Sequence, residues 1–98
     1  MSARFQRPPH VAMVESSAAE AQAPVLYLAP LPDGPVSELD GPAAIIWQEA
    51  VAGPDADDIA RRVAARARVA LTDIESDVRA FLEELVERGL LLRIEPPP

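Results

Sequence analysis

Residues 72–90 read TDIESDVRAFLEELVERGL, and this stretch carries the strongest structural signal in the chain. Thr72 and Glu75 have the spacing of a capping box, which satisfies free backbone N–H groups where a helix begins. Gly89 can adopt the left-handed conformation that often ends a helix, and Leu90 can then fold back against it. The apolar residues between these signals recur at helical spacing: Ile74, Val78, Phe81, Leu82, Leu85 and Val86. The stretch therefore predicts a long amphipathic helix.

Two shorter helices are predicted before it. The first begins after Asp40, which can cap its N-terminus, has Pro42 in its first turn and ends before Gly53-Pro54. The second begins at Asp55, whose side chain can also act as a cap. Trp47 lies among apolar residues of the first helix, and we expect it in the core.

The chain before these helices predicts strands. Short apolar runs bounded by Pro or Gly are typical of strands, and Pro32-Asp33-Gly34 between two of them is typical of a turn. In the strand after that turn, Ser37 and Leu39 share one face while Val36 and Glu38 share the other. The predicted strands are residues 11–14, 25–31, 36–39 and, after the last helix, 91–94. The sequence thus predicts an α+β domain in which a hairpin precedes three helices.

Composition limits the class of protein. The 98 residues suffice for one domain, which we place at residues 11–94, with a connecting loop at 15–22, a flexible segment at 1–10 and a loose Pro-rich tail at 95–98. Cys is absent, which excludes disulfides and thiolate chemistry. The net charge of −7 disfavours a nucleic-acid partner. No apolar run suits a membrane span or a secretion signal, so we expect a cytoplasmic protein with no membrane partner.

The order of these residues resembles a known family. The matching pieces are residues 26–30, 39–47, 57–60, 77–78, 81–82 and 89–91, with Ile74 and Leu85. Over about residues 25–92 they resemble the PqqD-like proteins, named for pyrroloquinoline quinone synthesis protein D and also called the leader-recognition element of ribosomally made, modified peptides. The resemblance implies a winged-helix-like fold, with a three-stranded antiparallel sheet followed by three helices.

Three positions depart from the family pattern. Asp40 stands where the family often has Asn, Ala52-Gly53 stands where it often has Asp-Gly, and the aromatic side chain common near Arg68 is missing. These positions belong to caps and turns, so the expected fold is unchanged. They leave open whether the pathway makes a quinone cofactor, a lasso-type peptide or another modified peptide.

The resemblance also implies a function, that of a non-catalytic peptide chaperone. Members bind the leader of a precursor peptide as an extra strand against their third strand, beside the third helix, and present it to a modifying enzyme such as a radical SAM protein, a peptidase or a cyclase. The implied peptide-binding residues are Pro35, Val36, Ser37, Glu38 and Leu39 on the strand, and Ile74, Asp77, Val78, Phe81 and Leu85 on the helix.

Physical reasoning from the residues favours the same function. A short final strand leaves one row of N–H and C=O groups unpaired, and an extended peptide can satisfy them. Val78, Phe81 and Leu85 could receive apolar leader side chains, or could serve only the core, as apolar residues at helical spacing usually do. Asp77 could pair with a basic leader residue, or could simply be solvated.

Other functions have weaker support. The single His, His10, lies beside Pro8-Pro9, and the acids Asp55, Asp57 and Asp58 fit helix capping better than a metal loop. We therefore expect no catalytic residue, no metal, no cofactor and no enzymatic activity. A winged-helix DNA-binding regulator stays an alternative, although the last helix is mostly acidic. So does a homodimerisation or protein-interaction module, because an open strand edge can pair with a second copy.

Overall fold

The computed structural model describes residues 3–16 and 25–95, and their architecture is α+β. Strands β2, β3 and β4 form a three-stranded antiparallel sheet, and three helices follow it, which confirms the predicted fold class. All the predicted strands occur, with ends shifted by one or two residues. The elements are β1 (Arg4–Gln6), β2 (Val11–Ser16), β3 (Val25–Pro30), β4 (Ser37–Asp40), α1 (Pro42–Val51), α2 (Ala56–Ala67), α3 (Leu71–Glu87) and β5 (Leu92–Ile94).

Strand β3 is the centre of the three-stranded sheet. Its Leu26 pairs with Glu15 of β2 on one side and with Leu39 of β4 on the other. Leu26 and Leu39 are buried against the helices, while Tyr27 and Glu38 are exposed on the outer face. The predicted alternation of β4 is therefore confirmed. Because β3 is central, β2 and β4 are the two edges of this sheet.

The N-terminal segment contains a strand at residues 4–6, which the sequence analysis did not predict within the segment 1–10. Strand β1 pairs antiparallel with β5, and the N–H of Ala56 donates a hydrogen bond to the carbonyl of Ala3 at 3.0 Å. Phe5 is only 4% exposed and belongs to the core. Pro8-Pro9 limits β1 to three residues but does not prevent it, because the strand ends before the prolines.

Two other sequence expectations fall on chain that the structure covers only in part. The loop expected at 15–22 begins two residues too early, since Glu15 and Ser16 belong to β2. Its remainder lies outside the described residues, as does most of the Pro-rich tail at 95–98.

The core joins the inner face of the sheet to all three helices. Trp47 is 1% exposed, as expected, and its indole Nε1 donates a hydrogen bond to the carbonyl of Leu90 at 3.0 Å. Leu90 follows Gly89, whose φ of 76° ends α3 in the left-handed region as predicted. The N–H of Leu90 then donates to the carbonyl of Leu85 at 2.9 Å. The end of α3 is thereby tied to α1 through the indole.

One of the three predicted helix caps is present. Asp55 caps α2, since its Oδ1 accepts a hydrogen bond from the N–H of Asp58 at 3.0 Å. Asp40 does not cap α1, because it is the last residue of β4 and the cap position falls on Gly41 with φ 56°. Pairing with Val25 holds Asp40 in the sheet. Gly41 then makes a turn into the helix that a residue with Cβ adopts at a cost.

The capping box expected at Thr72 is also absent. Helix α3 begins one residue earlier, at Leu71, and its cap position is Ala70, which offers no side-chain hydrogen bond. Leu71 packs against the core. The docking of this apolar side chain draws the chain into the helix before Thr72, so Thr72 lies inside the first turn.

Candidate functional site

Strand β4 has a free edge. It pairs with β3 on one side, and no strand in the described ranges pairs with it on the other. Alternate N–H and C=O groups along its outer side therefore lack a β partner. Pro35 and Val36, predicted as part of the binding strand, precede β4, and the side chain of Val36 is 68% exposed. The edge thus consists of Ser37, Glu38, Leu39 and Asp40.

Helix α3 approaches the two ends of this strand. At its C-terminal end, Nη2 of Arg88 donates a hydrogen bond to the hydroxyl of Ser37, the first residue of β4, at 3.0 Å. At its other end, Ile74 lines a cleft together with Pro42, two residues after β4. Since Ser37 shares the buried face of β4 with Leu39, α3 lies on the core side of the strand.

The cleft at the end of β4 is apolar. It has a volume of about 290 Å³, close to the lower limit of about 300 Å³ for small-molecule pockets, which suits one or two side chains better than a cofactor. Seven of its eight lining residues are apolar and the eighth is an acid. This helix cleft is lined by Pro42 and Ile46 of α1, Val63 and Ala67 of α2, Val69 after α2, and Ile74, Asp77 and Val78 of α3.

The structure brings three of the predicted helix residues together in the helix cleft, namely Ile74, Asp77 and Val78. Ile74 is half-buried and Asp77 is exposed, whereas Val78 is 2% exposed and forms part of the cleft floor. Phe81 is half-buried and packs against the core further along α3. Leu85 has no exposed surface, so it belongs to the core and does not line the helix cleft.

Sequence reasoning missed the part of the helix cleft that α1 and α2 provide. Ile46 and Val63 looked like ordinary core residues, because periodicity assigns a side chain to a face but not to the gap between three helices. Val69 is the lining residue whose position in the sequence could have indicated the cleft. It is an apolar residue in the connection between α2 and α3, and 42% of it is exposed.

The β4 edge and the rim of the helix cleft, together called the groove below, are acidic. Asp77 at the rim of the helix cleft is exposed, as are Glu38 and Asp40 on the outer face of β4, and none of the three has an ion pair within residues 3–16 and 25–95. The neighbouring cations are engaged, since Arg79 pairs with Asp57 and Arg88 pairs with Glu84. A nucleic-acid backbone would therefore be repelled from this face.

A second cleft of about 340 Å³ lies beside β1 and β5. Its charged residues are all engaged, since Arg93 pairs with Glu83 and, at 3.7 Å, with Glu95, while Arg79 pairs with Asp57 of α2. We regard it as the weaker candidate for a binding site.

Two observations bear on other chemistry. The described residues contain no group of three His, Cys, Asp or Glu side chains placed to hold a metal ion. No helix of residues 3–16 and 25–95 has both the length and the apolar character needed to cross a bilayer.

The fold and the groove define a small α+β domain with an open strand edge beside a helix. A comparison with protein families matches residues 14–91 of the chain to the family described as Coenzyme PQQ synthesis protein D. Because the match covers most of the chain, the protein belongs to the PqqD family. The match begins in β2, upstream of the resemblance noted at residue 25. Comparisons with curated proteins and with solved structures found no significant match.

Membership in this family gives a coarse functional assignment. It connects the protein with the biosynthesis of coenzyme PQQ or of ribosomally made, modified peptides. The family consists of non-catalytic accessory proteins that interact with a precursor peptide and a modifying enzyme.

Proposed function

We propose that this protein binds the leader of a ribosomally made precursor peptide as an added strand along β4 and presents it to a modifying enzyme. One observation carries the proposal. The free edge of β4 begins at Ser37, which Arg88 at the end of α3 contacts, and ends two residues before Pro42, which lines the apolar helix cleft. The edge offers backbone partners for an extended chain, and the cleft offers a place for a side chain.

The hydrogen bonds of such a strand are not sufficient for binding. Each contributes about 0.5–1.5 kcal/mol net, and only alternate residues of the four in β4 face outward. Ordering a flexible leader costs a comparable amount. Burial of a Leu or aromatic leader side chain contributes about 1.5–3 kcal/mol more. The affinity therefore depends on how many apolar leader side chains become buried, because the ordering cost offsets the hydrogen bonds.

The protein has a positioning role in this proposal. The modifying enzyme, of radical SAM, peptidase or cyclase type, supplies the chemistry. Holding the leader raises the local concentration of the attached core peptide at that enzyme, since binding through two linked modules is stronger than through either alone. The work takes place in the cytoplasm, where precursor peptides are made.

A leader with N-methyl groups tests the proposal. The probe is a synthetic leader of the precursor peptide, titrated into the protein by calorimetry, with a single backbone N-methyl group moved along the peptide. Each group removes one N–H donor. Because only alternate donors of an added strand face β4, affinity should fall at every second position. An effect without this period contradicts strand addition, and a leader that does not bind contradicts the function.

A further inference from the structure

We infer that the recognised leader segment is a strand with one bulky apolar residue, which is seated in the helix cleft, and a basic residue on each side of it. The inference rests on the proposed function and specifies its substrate class. It combines the lining of the helix cleft with the charges on the outer face of β4.

The helix cleft accounts for the apolar residue. Its seven apolar lining residues offer no hydrogen-bond partner to a polar side chain, so only an apolar one enters without loss. Val69 and Ile74 retain exposed surface at its mouth, and a bulky leader side chain would cover both. A small side chain such as Ala would leave that surface in water.

The two faces of β4 account for the alternation. Neighbouring residues of an added strand point to opposite faces of the sheet. Those on the core side lie on the same side as Ser37, whose hydroxyl accepts a hydrogen bond from Arg88 at the end of α3. Those on the outer side face Glu38 and Asp40, which are exposed and two residues apart. Side chains opposite each other on adjacent strands lie about 5 Å apart, within reach of an ion pair.

Charge complementarity identifies the outer residues of the leader as Lys or Arg. Glu38 and Asp40 have no ion pair within residues 3–16 and 25–95, so a basic leader residue meets no competing cation. Asp77 at the rim of the helix cleft adds a third negative charge on the other side of the groove. An exposed ion pair changes affinity by about 1.4- to 5-fold, and an acid in the same place weakens binding similarly.

Three blocked nine-residue peptides test the charge pattern. Each has a central Leu. The two residues directly before and after this Leu are both Lys in the first peptide, both Gln in the second and both Glu in the third. Fluorescence anisotropy should rank them Lys first, Gln second and Glu last, with a Lys-to-Glu ratio of about tenfold at low salt that shrinks in 0.5 M salt. In the variant with Glu38→Gln and Asp40→Gln the ratio should fall toward one. Glu95→Gln, beyond the other sheet, is the matched control and should leave it unchanged.

A second variant pair tests the apolar position. Val69→Ser should weaken the Lys peptide about fivefold or more, while Ile94→Ser should not, although Val69 and Ile94 are 42% and 43% exposed. Replacing the central Leu by Ala should mimic Val69→Ser. Equal binding of the Lys and Glu peptides, or indifference to the central Leu, overturns the inference. Such a result leaves the proposed function standing if the natural leader still binds and N-methyl groups weaken its binding at every second position.

Discussion

Arg88 donates a hydrogen bond from Nη2 to the hydroxyl of Ser37 at 3.0 Å, and this contact joins the end of α3 to the beginning of β4. The two residues are 51 positions apart in the chain. Helix and strand together form the two walls of the proposed groove. We expect the contact to hold the helix end and the strand together at the end opposite the helix cleft.

Arg88→Ala should weaken leader binding several-fold with little loss of stability. The side chain is 41% exposed, so its loss should change the free energy of unfolding by less than about 1 kcal/mol. Calorimetry with the leader and urea unfolding measure the two effects. Arg61→Ala is the control, since Arg61 forms an exposed pair with Asp58 on α2. Equal affinity for the Arg88 and Arg61 variants would show that the contact does not shape the groove.

Trp47→Phe should lower the free energy of unfolding by about 1–3 kcal/mol through the lost hydrogen bond alone, since the carbonyl of buried Leu90 loses its donor. The smaller ring adds a cavity cost. Urea unfolding followed by circular dichroism measures the change. Tyr27→Phe, on the exposed outer face of β3, should change stability by less than about 0.5 kcal/mol. If both variants behave alike, the indole hydrogen bond is not a significant stabilising contact.

Asp55→Ala should cost about 1 kcal/mol of stability, the usual loss for a helix cap. Asp40→Ala should cost much less, because Asp40 lies in β4 and caps no helix. Thermal or urea unfolding of the two variants gives the comparison. A larger loss of stability for Asp40→Ala than for Asp55→Ala would show that Asp40 caps α1.

Phe5→Ala should destabilise the protein by about 3 kcal/mol, the lower end of the range for a buried Phe. Its neighbour Gln6 is exposed, and Gln6→Ala should be nearly neutral. Denaturant midpoints of both variants measure the difference. A neutral Phe5→Ala would mean that β1 contributes nothing to the folded state.

A second copy of the chain pairing through β4 stays a prediction. Sedimentation across a range of concentrations measures self-association, and the leader should compete with it because both would use the same free edge. A dimer that binds the leader without dissociating would place the dimer contact elsewhere.

Local patterns predicted the parts of the fold that depend on neighbouring residues. The spacing of Val78, Leu82 and Leu85 marked the buried face of α3, and the capping role of Asp55 required only Asp58, three residues on. The end of α3 at Gly89 is equally local.

Contacts between distant residues were not predictable in the same way. The pairing of Arg4 with Ile94 joins the two ends of the described chain, and the sequence near Arg4 shows only a short segment followed by prolines. The helix cleft is a gap among three helices, so helical periodicity did not predict that residues of α1 and α2 line it. Asp40 and Thr72 carried correct capping chemistry, but strand pairing and the docking of Leu71 moved the helix starts away from them.

Amide hydrogen exchange tests the central claim most directly, because the three-stranded sheet has two edges and only one is proposed to bind. With the leader present, alternate amides of Ser37–Asp40 should exchange more slowly, by about tenfold or more under saturating leader, while the edge amides of Val11–Ser16 should not change. Protection of β2 in place of β4, or of neither strand while the leader is bound, would contradict the account.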